Sequence, residues 1–439
     1  MMSITRRDSI SSGNQSSQDH VSPFSLFWEQ TGAQKSTISL FWEQTASNQG
    51  NSESVLGTDF AQRNGAIPMV QTIPVQTTHE ALNLSYPSGF DGGNTDTCFS
   101  TFVGGQERTV ILPSTLTEII GNKLATLRGA VASTVDGERE LADPYQQDLQ
   151  VTYQNKTYLL GYSAMRQAKR ANTQKGDATR YASVEHLIRL LAASALAITD
   201  HCYELDLVTT VPYGYYTKAL RQQIKQTFNG SHEFALNGVE RQACVRVRQI
   251  LVEGAPGLVL YGASSATTRR LLIDGGGHTT ELLTFDGRDP IAELCRGVEL
   301  GVETIGDYIA EQLLEGHGRR LSLRERSDIL RAYGSRMSLS PFPYPVIACG
   351  SYAITPAELQ TLCHAGAIHL SEAILSEAAM LWGKVNGCVA GDITYQYQLG
   401  GSVYFCNEIM REKMPGLLAV ADAEKANARG CARIARALV

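Results

Sequence analysis

Two segments of this chain carry the residue types needed to hold a phosphate. The first is Ser88-Gly89-Phe90-Asp91-Gly92-Gly93-Asn94-Thr95-Asp96-Thr97. An apolar strand delivers Asp91 to its end, and Gly92 and Gly93 let the backbone turn tightly. Free N–H groups there, with Asn94 and the Thr95 hydroxyl, can approach an anion. The second is Leu271-Leu272-Ile273-Asp274-Gly275-Gly276-Gly277-His278-Thr279-Thr280-Glu281. It repeats the construction: strand, aspartate, glycines, hydroxyl residues, strand. One Asp-Gly-Gly turn is usually a plain β-turn, so either copy alone says little. Two copies, about 180 residues apart and each behind an apolar strand, say much more. Facing each other, they would clamp a polyphosphate from both sides. Asp91 and Asp274 would then hold Mg²⁺ through water, which suits an ion that keeps its waters and takes few direct carboxylates.

A third segment, Tyr397-Gln398-Leu399-Gly400-Gly401-Ser402-Val403, reads as a strand passing through two glycines into a helix. A helix amino terminus behind Gly400, Gly401 and Ser402 offers N–H groups and a positive dipole end to a nucleotide. By itself it is an ordinary strand-to-helix turn. There is no Gly-x4-Gly-Lys-Ser/Thr and no Gly-x-Gly-x-x-Gly, which excludes a P-loop and a dinucleotide fingerprint. Cys363-His364 and His369 lack the paired spacing of a zinc site. Glu372 and Glu377 read as a solvated helix face, and Ile368, Ile374, Leu375 and Leu381 as core.

The elements that must position these turns begin near residue 85. Tyr86 to Phe102 reads as strand, turn, strand, and Val151–Leu160 as a hairpin around Gln154-Asn155-Lys156. Residues 181–201 show helical spacing through Val184, Leu187, Ile188, Leu191 and Leu196. Leu205–Val211 is a strand, Tyr215–Phe228 a helix, and Ala243–Val252 a strand with Arg246 and Arg248 on its outer face. A second block opens with strands Arg270–Asp274 and Glu281–Phe285. Helices near 299–315, 323–334 and 355–385 and a strand Thr394–Gln398 follow. Two blocks of this kind predict an α/β fold duplicated around a cleft.

Residues 1–80 differ. They are rich in Ser, Gln, Asn and Thr and lack sustained periodicity, which predicts a disordered tail. Within them Ser25-Leu26-Phe27-Trp28-Glu29-Gln30-Thr31 recurs as Ser39-Leu40-Phe41-Trp42-Glu43-Gln44-Thr45. The repeat is either bait for a partner's groove or a local duplication without a role.

The chain has 439 residues, a formal net charge of −6 and 43% hydrophobic residues, about right for two domains plus extra segments. The mild acidity gives no electrostatic reason for direct DNA or membrane binding. Nine scattered cysteines without a Cys-x-x-Cys pair read as reduced thiols and hence a cytoplasmic protein. The polar start is not a signal peptide, and no stretch approaches the ~18 apolar residues that span a bilayer.

The order and spacing of the three turns resemble the phosphate-1, phosphate-2 and adenosine motifs of the actin and sugar-kinase superfamily. Finer features resemble its ParM/StbA branch of plasmid-segregating actin-like ATPases. Asp91, Gly93 and Thr95 stand where that branch has its first phosphate loop. Asp274, Gly276, Gly277, Thr279 and Thr280 follow its Asp-x-Gly-Gly-Gly-Thr-Thr-Asp pattern, with His278 in place of the third glycine and Glu281 in place of the final aspartate. Thr210-Val211-Pro212-Tyr213-Gly214-Tyr215-Tyr216 is similar to its Leu-Pro-Leu-x-x-Tyr-Tyr stretch. Val252-Glu253-Gly254-Ala255-Pro256 is similar to the loop carrying its water-orienting glutamate. Ala426-Asn427-Ala428-Arg429-Gly430 is similar to the start of its last helix, which crosses back to the first domain.

The resemblance implies two RNase H-like domains, 81–269 (with 422–439 crossing back) and 270–421, around a nucleotide cleft. It implies hydrolysis of ATP, or alternatively GTP, with Mg²⁺, Glu253 and Asp274 being catalytic. It further implies filaments of the chain with itself and a DNA-binding adaptor. Cys98 replaces the lysine that often follows the first loop, and Lys218 or Arg246 could substitute for its charge. A sugar-type kinase would need an Asp base in the first domain, and residues 100–200 offer no convincing candidate. A scaffold that binds nucleotide without hydrolysing it is the other alternative.

Overall fold

The computed structural model describes residues 84–119, 149–167, 177–261, 269–287, 289–339, 341–391, 393 and 395–439. The proposed tail and its repeat lie outside them.

The first block forms nine strands. They are β1 (Ser85–Gly92), β2 (Asp96–Val103), β3 (Gln106–Pro113), β4 (Leu116–Ile119), β5 (Leu149–Tyr153), β6 (Lys156–Leu160), β7 (Cys202–Val211), β8 (Gly230–Leu236) and β9 (Val239–Val252). Their order across the sheet is β3-β2-β1-β7-β9-β8-β5-β6-β4. β1 to β3 are antiparallel, whereas β7 runs parallel to β1 and β9 parallel to β7. The predicted β5–β6 hairpin turns at Gln154 and Asn155, both with positive φ, the twist that a two-residue loop needs.

Helix α1 (Tyr162–Gln167) follows β6, and α2 (Val184–Ala197) covers the sheet. The sequence spread this second helix over 181–201. It starts at 184 because the Ser183 side chain accepts from His186 N at 3.2 Å, capping it. A 3₁₀ turn, Ala178–Ala182, precedes it. In the same way α3 begins at Lys218, capped by Thr217, and buries Leu220, Ile224 and Phe228 along one face. β8 escaped the sequence reading although Asn237-Gly238, a strong hairpin signal, joins it to β9.

After α4 (Ala255–Tyr261) the second block repeats the plan. β10 (Arg269–Gly275) and β11 (Thr280–Asp286) form an antiparallel hairpin, edged by β12 (Asp289–Pro290) and β13 (Arg296–Val298). Four short strands make two separate hairpins, β14 (Ile347–Cys349) with β15 (Tyr352–Ile354) and β16 (Lys384–Val385) with β17 (Cys388–Val389). On the other side of β10 lie β18 (Tyr395–Leu399) and β19 (Leu417–Ala419), parallel to it. The order edge, β11, β10, β18, β19 is that of β3, β2, β1, β7, β9. The duplication expected from the two turns is therefore present in strand order.

Alternation along β10 splits the core. Leu272 joins the apolar cluster of the first block, while Leu271 and Ile273 face helices of the second. Those helices are α5 (Glu303–His317), α6 (Leu323–Gly334), α7 (Pro356–Trp382) and α8 (Val403–Arg411). α6 opens on a Ser322/Glu325 capping box, and α7 stops at Gly383 (φ 76°) rather than at the predicted 385. The last helix, α9 (Ala426–Leu438), packs on β1. A Cβ on Gly89 of β1 would stand 2.0 Å from the Ala428 carbonyl oxygen, so the two backbones touch.

Candidate functional site

Both glycine turns sit where an inner strand ends. β1 delivers Asp91 opposite Cys98, and β10 delivers Asp274 opposite Glu281. The first turn is braced from its own sheet. Ser114 N–H donates to the Thr95 carbonyl at 2.8 Å and Ser114 Oγ to the Gly93 carbonyl at 2.7 Å. The Ser114 carbonyl in turn accepts from Arg189 Nε at 2.7 Å. The second turn is braced by a helix. Val302 N–H and Glu303 N–H, at the start of α5, donate to the carbonyls of Gly276 (3.0 Å) and Gly277 (2.8 Å).

The two turns meet. A Cβ on Gly277 would stand 1.9 Å from Thr95 Oγ1, so only glycine permits this approach. Thr95 Oγ1 is buried there without a hydrogen-bond partner. Thr280 lies behind the turn, its hydroxyl donating to the Leu300 carbonyl at 2.7 Å.

The third turn, Gly400-Gly401-Ser402, lies beside Asp274. Gly400 has φ 79°, and a Cβ on it would come within 2.5 Å of Asp274 Oδ1. Ser402 is buried. Its N–H donates to the Gly275 carbonyl at 2.8 Å and its Oγ accepts from Gln398 Nε2 at 3.2 Å. Ser402 thus ties two turns together, and Gly400 and Gly401 form the part nearer solvent.

Four carboxyl groups converge here. Burial pushes Asp274 up to about 7, against a hydrogen bond from Asn427 and with help from the charge of Asp91. Burial pushes Glu281 up to about 8, opposed by the Tyr213 N–H that donates to its Oε2 at 3.1 Å. Glu281 Oε1 is buried without a partner. Asp91 is also raised by burial, with Thr210 Oγ1 donating to it at 3.1 Å and opposing the shift. Glu253 is raised well above the usual range by burial and then by Asp91, Glu281 and Asp274. Among the described residues no three His, Cys, Asp or Glu side chains are grouped to ligate a metal directly.

Asn427 joins these groups. Its Nδ2 donates to Asp274 Oδ2 at 2.8 Å, its Oδ1 accepts from Gly254 N–H at 2.9 Å, and its side chain also hydrogen-bonds Asp91. The sequence placed Asn427 only at the start of a helix. Its reach to both aspartates comes from the packing of α9 on β1.

The structure thus brings together Asp91, Gly92, Gly93, Asn94 and Thr95 with Asp274, Gly275, Gly276, Gly277, Thr279, Thr280, Gly400, Gly401 and Glu253. Arg246 is elsewhere. It ion-pairs with Glu204 and, at 3.3 Å, with Asp206, six residues before the site end of β9. Lys218 is exposed in the first turn of α3. Cys98 is buried, its thiol held well above its ordinary value by burial and by Asp91. Among the described residues, Arg180 is a cation whose charge opposes the upward shifts of Asp91 and Glu253. No spacing signal in the sequence marked it. All nine cysteines are free thiols, six of them buried. No helix among the described residues is long and apolar enough to cross a membrane.

Residues 89–255 match the family model for the N-terminal domain of actin-like proteins. Three solved structures are similar to the chain. An archaeal actin homologue in complex with ADP is 18% identical, with 80% of this chain and 99% of that one covered and a TM-score of 0.59. A 15-stranded ParM filament from Clostridium botulinum gives 17%, 80%, 99% and 0.62. Bacillus thuringiensis ParM with ATP gives 14%, 80%, 98% and 0.56. No curated protein sequence matches the chain. The chain has the actin-like fold, with two sheets that share a five-strand order and meet at a pair of glycine turns, and residues 89–255 match the N-terminal domain model of actin-like proteins.

Proposed function

We propose that this chain is an actin-like ATPase that assembles into filaments under nucleotide control and moves plasmid or other DNA through a DNA-binding adaptor. The observation that carries the reading is the convergence of Asp91, Asp274, Glu253 and Glu281 on two glycine turns in contact. Four carboxyls with raised pKa values, Asp274 and Glu281 buried and Asp91 and Glu253 half-buried, make a site short of positive charge, and Thr95 Oγ1 and Glu281 Oε1 lack partners. Those features fit a Mg²⁺–polyphosphate. Asp91 and Asp274 would hold the ion through water, and the ion would neutralise phosphate charge.

Glu253 would orient the attacking water and take its proton. Burial and the neighbouring carboxylates raise Glu253 well above the usual carboxylate range, which makes it a stronger base than an ordinary glutamate. Gly400 and Gly401 would lie against the nucleoside, ATP or alternatively GTP. Because Thr95 and Gly277 belong to different halves, a terminal phosphate between them would alter how the halves meet, and with it the surface offered to the next subunit. Head-to-tail contacts that do not close make filaments. The similar ParM filament supports this step. A net charge of −6 gives DNA no basic footing, so a DNA-binding adaptor would make that contact.

The test combines phosphate release, light scattering and electron microscopy on purified protein with Mg-ATP. Filaments should form with ATP and disassemble as it is consumed. Glu253→Ala should still bind ATP and release phosphate about 10²–10³-fold more slowly. A chain that stays monomeric at high concentration with a non-hydrolysable analogue, or a Glu253→Ala variant with unchanged release, would overturn the reading.

A further inference from the structure

At the first turn Cys98 stands opposite Asp91, Arg246 is committed elsewhere, and the buried Arg189 spends its Nε on the Ser114 carbonyl. We propose that Arg180 supplies positive charge there, its guanidinium gripping the terminal phosphate of bound nucleotide and stabilising it during transfer to water. The proposal rests on the nucleotide-hydrolase reading of the same site.

Geometry supports it from two sides. The Arg180 guanidinium carbon lies 4.1 Å over the Tyr181 ring, and Arg180 Nη2 donates to the Tyr181 hydroxyl at 2.5 Å. That hydroxyl points at Glu253 Oε1, 3.5 Å away. Tyr181 is itself fixed: it is buried and meets His186 edge-on at 5.3 Å. His186 stands against Gly92, where an added Cβ would come within 2.0 Å of its ring. One aromatic post therefore sets Arg180, Glu253 and the first turn relative to one another.

The second side is what Arg180 does not do. Among the described residues it forms no ion pair with a carboxylate, although its charge acts on Asp91 and Glu253. A guanidinium held by stacking keeps N–H groups for another anion, and its planar fork fits two phosphate oxygens. The competing cation, Lys425, is tied to Asp422 at 3.3 Å and Glu424 at 3.6 Å.

In the step itself, the water oxygen bonds to the γ-phosphorus and the bond to the β,γ-bridging oxygen breaks. The electron pair leaves on ADP, and the water's proton passes to Glu253 and then to solvent. ATP and water become ADP, phosphate and a proton. Negative charge spreads over the γ-oxygens and the bridging oxygen, where a guanidinium acts most strongly.

The test uses the full chain, with Arg180→Ala and Arg180→Lys. Equilibrium binding of Mg-ATP and Mg-ADP and the rate of phosphate release are measured, with melting temperature as a control on folding. Arg180→Ala should lose ATP affinity by a larger factor than ADP affinity and slow release by about 10²-fold or more. Arg180→Lys should keep part of the ATP preference, and free guanidinium ion should restore part of the rate to the alanine variant. The proposal falls if Arg180→Ala keeps the wild-type ATP/ADP ratio and rate. It falls equally if ATP and ADP are lost together with a lower melting temperature and no rescue, because Arg180 is then only a prop. Wild-type protein that binds ATP without hydrolysing it removes the hydrolase reading alone, and the affinity ratio still decides Arg180. Wild type that binds neither nucleotide removes both.

Discussion

Asp91 and Asp274 end corresponding strands of two sheets that share a five-strand order, yet their surroundings differ. Asp91 is half-buried and held by the Thr210 hydroxyl as well as Asn427; Asp274 is buried and held by Asn427. The first turn leans on Ser114 and Arg189, side chains and backbone of its own half. The second leans on the amino end of α5 and on Ser402. One local pattern has thus been set in two dielectric environments. The more buried copy carries the carboxyls at about 7 and about 8.

The largest test of that contrast is to remove each aspartate. Asp274→Ala should weaken Mg²⁺-dependent nucleotide binding by about 100-fold, and Asp91→Ala by closer to tenfold. Calorimetric titration with and without Mg²⁺ checks both, and equal losses would erase the asymmetry.

The contact between the halves comes next. Gly277→Ala should lower stability by about 1–3 kcal/mol, because its Cβ would overlap Thr95 Oγ1. Thr95→Gly in the same chain should recover much of that loss. Denaturant melts of the four species give the coupling, and strict additivity would mean that the turns do not touch in solution.

pH sharpens the comparison further. Asp274 and Glu281 have folded-state values raised above the ordinary 3.8 and 4.5, so the folded state binds more protons than the unfolded one. Their contribution is full below about pH 4 and is lost as pH rises through about 7 to 8. The melting temperature of nucleotide-free protein should fall by a few degrees between about pH 6 and about 8.5. Asp274→Asn should flatten that fall more than Asp91→Asn. A melting temperature that rises over this range in the wild type would contradict the assignment.

The smallest effect is expected at the brace of the first turn. Ser114→Ala removes the hydrogen bond to the Gly93 carbonyl and the contact with Thr97 Oγ1, and should cost about 1 kcal/mol. Nucleotide affinity should fall only slightly, which a parallel binding titration would check.

Much of the candidate site was legible because glycine turns of this kind are local. A strand, an aspartate, glycines and hydroxyl residues encode a backbone path within ten residues, so Asp91 to Thr95 and Asp274 to Thr280 could be found without neighbours. Helix bounds were less legible, since Ser183, Thr217 and Gly383 act through single capping or stopping contacts that periodicity does not reveal. β8 was passed over despite the Asn237-Gly238 turn, because its own run, Gly230–Leu236, has little apolar alternation.

By itself, then, the sequence determined the two turns, their strands, the hairpin at Gln154-Asn155 and the repetition of one plan. These follow from interactions between residues close along the chain. Tertiary structure alone decided which charge reaches the site. Arg246 sits midway along a strand that enters the site, six residues short of it, where Glu204 and Asp206 take its charge. Arg180 comes from a short turn with no motif, and Asn427 arrives from a segment 153 residues beyond Asp274. Electrostatics acts through space, so residues far apart in sequence set the protonation of Asp274 and Glu253. Only the packed arrangement of sheets and helices supplies those distances.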